Sequence, residues 1–402
     1  MQVEIVGGGM VGLAFAIAVK RALPEAGVRV MEARAFPAGS PQALDSRATA
    51  LNLASRDILH SWGIWEQLEQ STAGIESIHV SSQGRFGSAL MEAGDVGEAA
   101  LGYVTENHCL GALLLQLARA CGVVFEAPAG VEGLSVEGGA PVILRKGGER
   151  HQADLVIIAD GADSSLARQL GITSEKREVH QRAVATNVRC EGEHRGIAWE
   201  RFTANGPIAL LPLPQVAGGQ CCYNLIWSML PERCRSLEAG DDDEFLEALQ
   251  REIGWRVGRL TAVGHRTVWD LVRVRAREQV RPGVVIAGNA AHSLHPVAGQ
   301  GFNLSLRDAN ALASVLAAAV AAGERPGSMN VLQRYDTLTS ADQHFTTGAT
   351  DMLATLFRAR GPLLDVPRDT ALATLDLLLP LRRKIAQHGT GRHRGSAVGH
   401  PG

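Results

Sequence analysis

A chain of 402 residues is long enough for two domains, or for one large domain with another inserted in it. With 46% apolar and 20% charged residues it reads as a globular protein with a sizeable core, and a formal net charge of −3 gives no sign of a nucleic-acid partner. The six cysteines form no CxxC pair, so free buried thiols in a reducing cytoplasm are expected.

The chain opens directly on a short apolar strand, Val3 to Val6, with no basic or long apolar leader before it. Gly7-x-Gly9-x-x-Gly12 then turns into an alanine-rich helix over 13–22, and a second strand over 28–32 ends on Glu32. Such a βαβ opening suits dinucleotide binding. Bare glycines let the backbone approach a pyrophosphate at the positive helix start, and a carboxylate 20 residues past Gly12 can accept hydrogen bonds from a ribose hydroxyl. The motif does not separate FAD from NAD. Its bland alternative is a glycine turn that only packs helix on sheet.

A helix is expected over 55–70, a polar, glycine-rich stretch over 81–102, and a helix over 110–121. The strand 153–159 ends in Asp160-Gly161, which alone is as much an ordinary turn pair as a motif. Residues 180–230 alternate in short runs broken by Gly and Pro, the pattern of an antiparallel sheet with one exposed face. Asp241-Asp242-Asp243 reads as a helix start, where acidic groups favour the macrodipole. A buried strand at 284–288 leads through a glycine-rich loop into a long helix over 303–322. The last 60 residues look helical, and the tail past Gly389 disordered. The longest low-polarity stretch, 311–322, falls short of the roughly 20 strongly apolar residues a bilayer span needs, so any membrane contact is expected to be peripheral.

These elements predict an α/β protein. A Rossmann-like nucleotide-binding domain (1–75, 105–178 and 266–340) is interleaved with a mixed-sheet substrate domain (76–104 and 179–265). A helical C-terminal region (341–390) and a disordered tail (391–402) follow.

The most informative segment runs from Gly288 to Asn303, GNAAHSLHPVAGQGFN. It follows a buried strand and opens a helix, so the free amides of Gly299, Gln300 and Gly301 can stabilise negative charge on a reduced flavin ring. Two histidines, His292 and His295, lack an apparent third ligand, and no metal is expected.

The three motifs in this order resemble the class A flavoprotein monooxygenases and, within them, the ubiquinone-biosynthesis hydroxylase family. The matching stretches are 45–51 (DSRATAL), 198–202 (AWERF), 206–212 (GPIALLP) and 295–308, in a resemblance covering about residues 3–391. The Gly288-Asn289 pair resembles the 2-polyprenyl-6-methoxyphenol hydroxylase branch. The resemblance implies that Gly7, Gly9, Gly12 and Glu32 hold the ADP half of FAD, with Arg47 near its phosphates or ribityl chain. A surface arginine capping a helix is the alternative for Arg47. Asp160 and Gly161 would serve FAD and nicotinamide binding alike. Gly288 and Asn289 would approach the ribityl chain, Pro296 to Gly301 (Gly299, Gln300 and Gly301 among them) would line the flavin ring, and Asn303 would belong to the cofactor-binding set. Two positions depart from the pattern: Asn289 stands where the wider class has Asp, and Arg168 lies one residue later after Asp160-Gly161 than the usual spacing.

The resemblance further implies a hydroxylation of a hydrophobic prenylphenol with O2 and a reductant such as NAD(P)H. A ubiquinone-biosynthesis complex is an implied partner. No catalytic base is identified; His295 is the candidate, against a histidine that merely hydrogen-bonds within its loop. The leucine-rich run 375–381, followed by Arg382-Arg383-Lys384, reads either as core or as the neighbourhood of a substrate exit or partner. Two other classes remain open: a flavin dehydrogenase or prenyl reductase that inserts no oxygen, and a non-catalytic FAD-binding subunit.

Overall fold

Val3, Ile5 and Val6 leave almost no side-chain surface exposed, because the strand Gln2–Val6 is the centre of a sheet covered on both faces. The computed structural model describes residues 1–35, 47–85, 87–214, 221–294, 299–358 and 379–392. Gln2–Val6 pairs in parallel with Gly27–Met31 on one side and Leu155–Ile158 on the other. Val124–Glu126 and Val284–Ile286 extend the parallel sheet outward, and Val280–Arg281 closes one edge antiparallel. Parallel strands deliver their carboxyl ends to one edge, and there Gly7, Glu32, Asp160 and Gly288 follow four of them. Ligands of open α/β sheets bind at that edge.

The helices Met10–Ala22 and Gln300–Ala321 pack on this sheet and on each other through Phe15, Ile17, Leu306, Leu312 and Leu316. Gln300–Ala321 has the length and apolar composition of a membrane span, but half of its most apolar window is buried inside the fold. It packs between Met10–Ala22 and the helix Met329–Arg358, as a core helix does.

The second layer is a nine-stranded mixed sheet. Its path runs His292–Ser293, Thr267–Ala276, Ser174–Cys190, Cys221–Met229, Gly206–Pro212, Ile197–Thr203, Ser77–Ser82 and Ser88–Glu92, with Leu260–Val263 paired beside Ser174–Cys190. Ile197–Thr203 and Ser77–Ser82 are its parallel neighbours; the other pairings are antiparallel. A three-stranded sheet of Ala48–Asn52, Gly102–Glu106 and Thr72–Ile75 lies between the layers, and a second three-stranded sheet spans 131–152.

Three expectations are corrected. The substrate sheet takes in Thr267–Ala276 and residues 174–178, which the domain limits at 178 and 266 had placed in the nucleotide-binding layer; one long strand, Ser174–Cys190, carries both into the same ladder. The sheet has no exposed face over 221–229. The helices Pro231–Ala239 and Asp242–Ile253 cover one side through Cys234, Leu237, Phe245 and Leu249, and the nucleotide-binding layer covers the other, so Cys221–Met229 is buried along nearly its whole length. The tail is ordered through Arg392, whose guanidinium pairs with Asp57 at 2.7 Å and with Glu98. Residues 375–378 and 393–402 lie outside the described residues.

The remaining differences are local. The helix expected over 55–70 is two, Leu53–Ser61 and Trp65–Glu69, interrupted where Gly63 takes φ +75°. The acidic start behaves as read: Asp241 Oδ1 accepts the Glu244 N–H at 2.8 Å and caps Asp242–Ile253.

Candidate cofactor and substrate cleft

The glycines of the opening motif have different tasks. A Cβ on Gly12 would lie 1.9 Å from the Gly7 carbonyl oxygen, so Gly12 lets the helix touch the strand it follows. A Cβ on Gly9 would meet nothing within 4 Å. That open space lies at the start of Met10–Ala22, where Gly9 supplies no side-chain cap and the first helical N–H groups remain available. Beside it, Glu32 accepts the Gly8 N–H at 2.8 Å and the Arg34 N–H at 3.0 Å. Open space beside Gly9, a helix start and a fixed carboxylate fit the ADP half of a dinucleotide.

Asp160 follows Leu155–Ile158 and accepts a hydrogen bond from Ser164 Oγ at 3.0 Å; Ser164 also caps the helix Ser165–Gln169, accepting from the Ala167 N–H. Desolvation by the surrounding chain raises the Asp160 carboxyl above its usual value although its surface stays open, and the Ser164 hydroxyl works against that rise. Next to it the Lys176 ammonium holds the Asp163 carboxyl below the usual range. Gly288 takes φ +57°, and a Cβ there would press on Val11 at 2.8 Å.

A cleft of about 610 Å³ joins the two layers. Arg47, Asn289, Gly299, Gln300 and Gly301 line it from the nucleotide-binding side, and Trp269 from the sheet. Its size is that of a small-molecule site. Arg47 lies with its guanidinium 5.9 Å from the Trp269 ring centre, spanning the two layers. Its backbone carbonyl accepts the Asn107 N–H, which fixes the base of the side chain.

Asn303, expected among the cofactor-binding residues, is placed by the structure as a positioning residue. It is 1% exposed. Its Oδ1 accepts from the Asn52 N–H and Ser55 Oγ at 2.9 and 2.7 Å, and its Nδ2 donates to the Ala50 and Gly299 carbonyls at 2.7 and 2.9 Å. Both donors and both acceptor sites are thus used within the protein. They anchor the Gly299 turn to the strand Ala48–Asn52. His292 is likewise internal: its Nε2 donates to Asp308 Oδ2 at 3.0 Å, and Gln343 donates to the same oxygen at 3.1 Å. His295 and Pro296 lie outside the described residues.

Sequence reading missed the wall opposite the cofactor side. Alternation along each strand turns Ala185, Asn187, Asn224, Leu211, Ala198 and Glu200 toward the nucleotide-binding layer. Asn187 Nδ2 donates to Glu106 Oε1 at 3.0 Å, and Asn224 Nδ2 donates to Asn187 Oδ1 at 2.7 Å, so a polar bridge ties this wall to the layer across from it. The signal was present: polar residues at inward parity in otherwise apolar strands. Among the described residues, Glu106, His108 and Cys109 also bring ligand-type atoms within 4.8 Å of one another, with Glu106 already engaged by Asn187.

Comparison with known proteins agrees with this geometry. Residues 1–341 match a family model described as an FAD binding domain. Ubiquinone hydroxylase UbiL of Rhodospirillum rubrum is 32% identical over 396 residues, covering 97% of this chain and 89% of that protein. The 3-demethoxyubiquinol 3-hydroxylase of Escherichia coli is 30% identical, over 97% of this chain and 98% of that protein. Among solved structures, p-nitrophenol 4-monooxygenase PnpA from Pseudomonas putida superposes with a TM-score of 0.78 over 98% of both chains at 20% identity, a likeness of fold.

Proposed function

The chain belongs to the FAD-binding domain family, and from that premise we propose that it is an FAD-dependent monooxygenase that hydroxylates the aromatic ring of a polyprenylphenol in ubiquinone biosynthesis. The observation that carries the reading is the cleft between the layers, which puts the strand-end loops of Asn289 and Gly299–Gly301 opposite the sheet residue Trp269. The names and near-complete coverage of the two hydroxylase relatives support the substrate class.

When bound, FAD supplies the redox chemistry and the activation of O2. Gly7, Gly9 and Gly12 would leave room for its ADP half, and Glu32 would accept from the ribose. Arg47 would offer a cation to the cofactor's phosphates or ribityl chain. Gly288 and Asn289 would serve the ribityl chain. Gly299, Gln300 and Gly301, at the start of a 22-residue helix, would offer amides that favour negative charge on the ring. The sheet wall excludes water and receives the phenol. NAD(P)H as donor, a ubiquinone-biosynthesis assembly and peripheral membrane contact belong to the same reading. The exposed Arg383 and Lys384 on Leu379–Gly389 support contact with an anionic surface.

Growth under labelled oxygen gas tests it. One labelled atom is expected in the ring of the product, and cells lacking the protein are expected to accumulate a prenylphenol in air. Label arriving from water, or turnover without oxygen, would leave the flavin dehydrogenase reading in its place.

A further inference from the structure

Two of the six free thiols face each other. Cys190 ends the strand Ser174–Cys190, Cys221 begins Cys221–Met229, and the antiparallel register sets them directly opposite. Residues opposed in this way have Cα atoms about 4.5–5.5 Å apart, inside the range that a disulfide spans. Both side chains lie on the helix-covered face, in the cluster of Val188, Leu210 and Tyr223. Cys222, next along the chain, turns to the other face and packs with Ala48 and Ala198. Cys234 shares the helix-covered cluster but sits near Arg182 and Asp270, at the opposite end of the pairing. Geometry thus singles out one pair.

The two thiols are unequal. The Cys190 S–H donates to the Cys221 sulfur, which also accepts the His194 N–H, and these donors hold the Cys221 thiol below its usual range. The same contact, with burial, pushes the Cys190 thiol up. The thiolate is the nucleophile, so Cys221 attacks and Cys190 resolves. The pair lies at an end of the ladder, beside a turn whose Glu191, Gly192, Glu193 and Arg195 are exposed. Cys190 is only 6% exposed and Cys221 2%, which keeps bulky thiols away but suits an oxidant little larger than water.

We propose that Cys190 and Cys221 form an oxidisable dithiol site that hydrogen peroxide converts to a cross-strand disulfide. The Cys221 thiolate attacks one peroxide oxygen and the O–O bond breaks. The departing hydroxide takes up the proton Cys221 had released and leaves as water. Cys221 then carries a sulfenic acid. The Cys190 sulfur attacks the Cys221 sulfur, the S–O bond breaks, and the hydroxide leaves with the Cys190 proton as a second water. Two thiols are oxidised by two electrons while one peroxide is reduced to two waters. The site stands apart from the cleft and does not depend on the function proposed above.

The test treats the folded, FAD-loaded protein with excess hydrogen peroxide, removes the peroxide with catalase, alkylates the remaining thiols under denaturing conditions and maps the peptides by mass spectrometry. Two of the six thiols should be lost, and the peptides carrying Cys190 and Cys221 should be joined, lighter by two hydrogens. Cys222→Ser should leave that bridge intact. Cys190→Ser should instead gain one oxygen at Cys221, and Cys221→Ser should keep Cys190 reduced. The wild-type result needs no variant to fold: six thiols surviving peroxide, or a bridge to Cys222 or Cys234, overturns the proposal. So does a Cys190→Ser protein with wild-type circular dichroism that takes no oxygen at Cys221.

Discussion

Asn303 holds the backbone of Asn52 from 251 residues away, its Oδ1 accepting the Asn52 N–H at 2.9 Å. The same amide grips Ala50, Ser55 and Gly299, so one side chain sets the distance between the small sheet and the turn that borders the cleft. Asn303→Ala would strand two buried donors and two part-buried carbonyls at once. We expect it to cost about 2–4 kcal/mol of stability in urea unfolding and to weaken FAD retention through the loosened turn. Unchanged stability with unchanged flavin content would contradict this role.

Gly9 and Gly12 should separate cofactor binding from folding. Gly9→Val fills the open cradle while leaving the helix–strand contact alone, so the apo protein should melt normally and hold no FAD. Gly12→Ala drives a Cβ into the Gly7 carbonyl and should lower the melting temperature even without FAD. Circular dichroism of both apo variants, with FAD released on denaturation, distinguishes them.

Asn289→Asp should be tolerated. Asn289 is exposed at the cleft, and either side chain can accept a hydrogen bond there. Near wild-type flavin content is expected on gel filtration; an empty but folded variant would assign the Asn289 amide N–H a task of its own.

Glu200 should make stability fall with rising pH. Its carboxyl titrates at an ordinary 4.5 when unfolded and at about 8 when folded. Between those values the folded chain holds a proton the unfolded chain has released. The resulting contribution is fully present below the unfolded value and is lost as pH rises through the folded one. Glu200→Gln should flatten the pH dependence of the urea midpoint over this window. A wild-type slope that the variant retains would place its origin elsewhere.

The nucleotide-binding layer was legible because its signals are local. Gly7 to Glu32 lies within one βαβ unit, and the strands ending at Asp160 and Gly288 are continuous apolar runs that only a two-faced burial explains. What escaped depends on partners far along the chain. Thr267–Ala276 alternates apolar and charged residues and gives no hint of which sheet it joins until it meets Ser174–Cys190. Asn303 sat inside a flavin motif and was read as touching the cofactor, since a sequence does not reveal that its four hydrogen bonds are already taken. Glu200 looked like one more charge in AWERF; strand parity and burial set it apart.

The interleaving of the layers bears on how the chain reaches this state. Gln2–Val6 must wait for Leu155–Ile158 before its second edge is paired, and Asn52 for Asn303. Closing such distant contacts is entropically slow. A chain still emerging from the ribosome therefore carries an apolar first strand with one open edge until residue 158 is made, and the cofactor-side turn waits for residue 303. Truncation before residue 300 should yield an aggregating fragment, not an independent nucleotide-binding unit, so the protein is made whole or not at all.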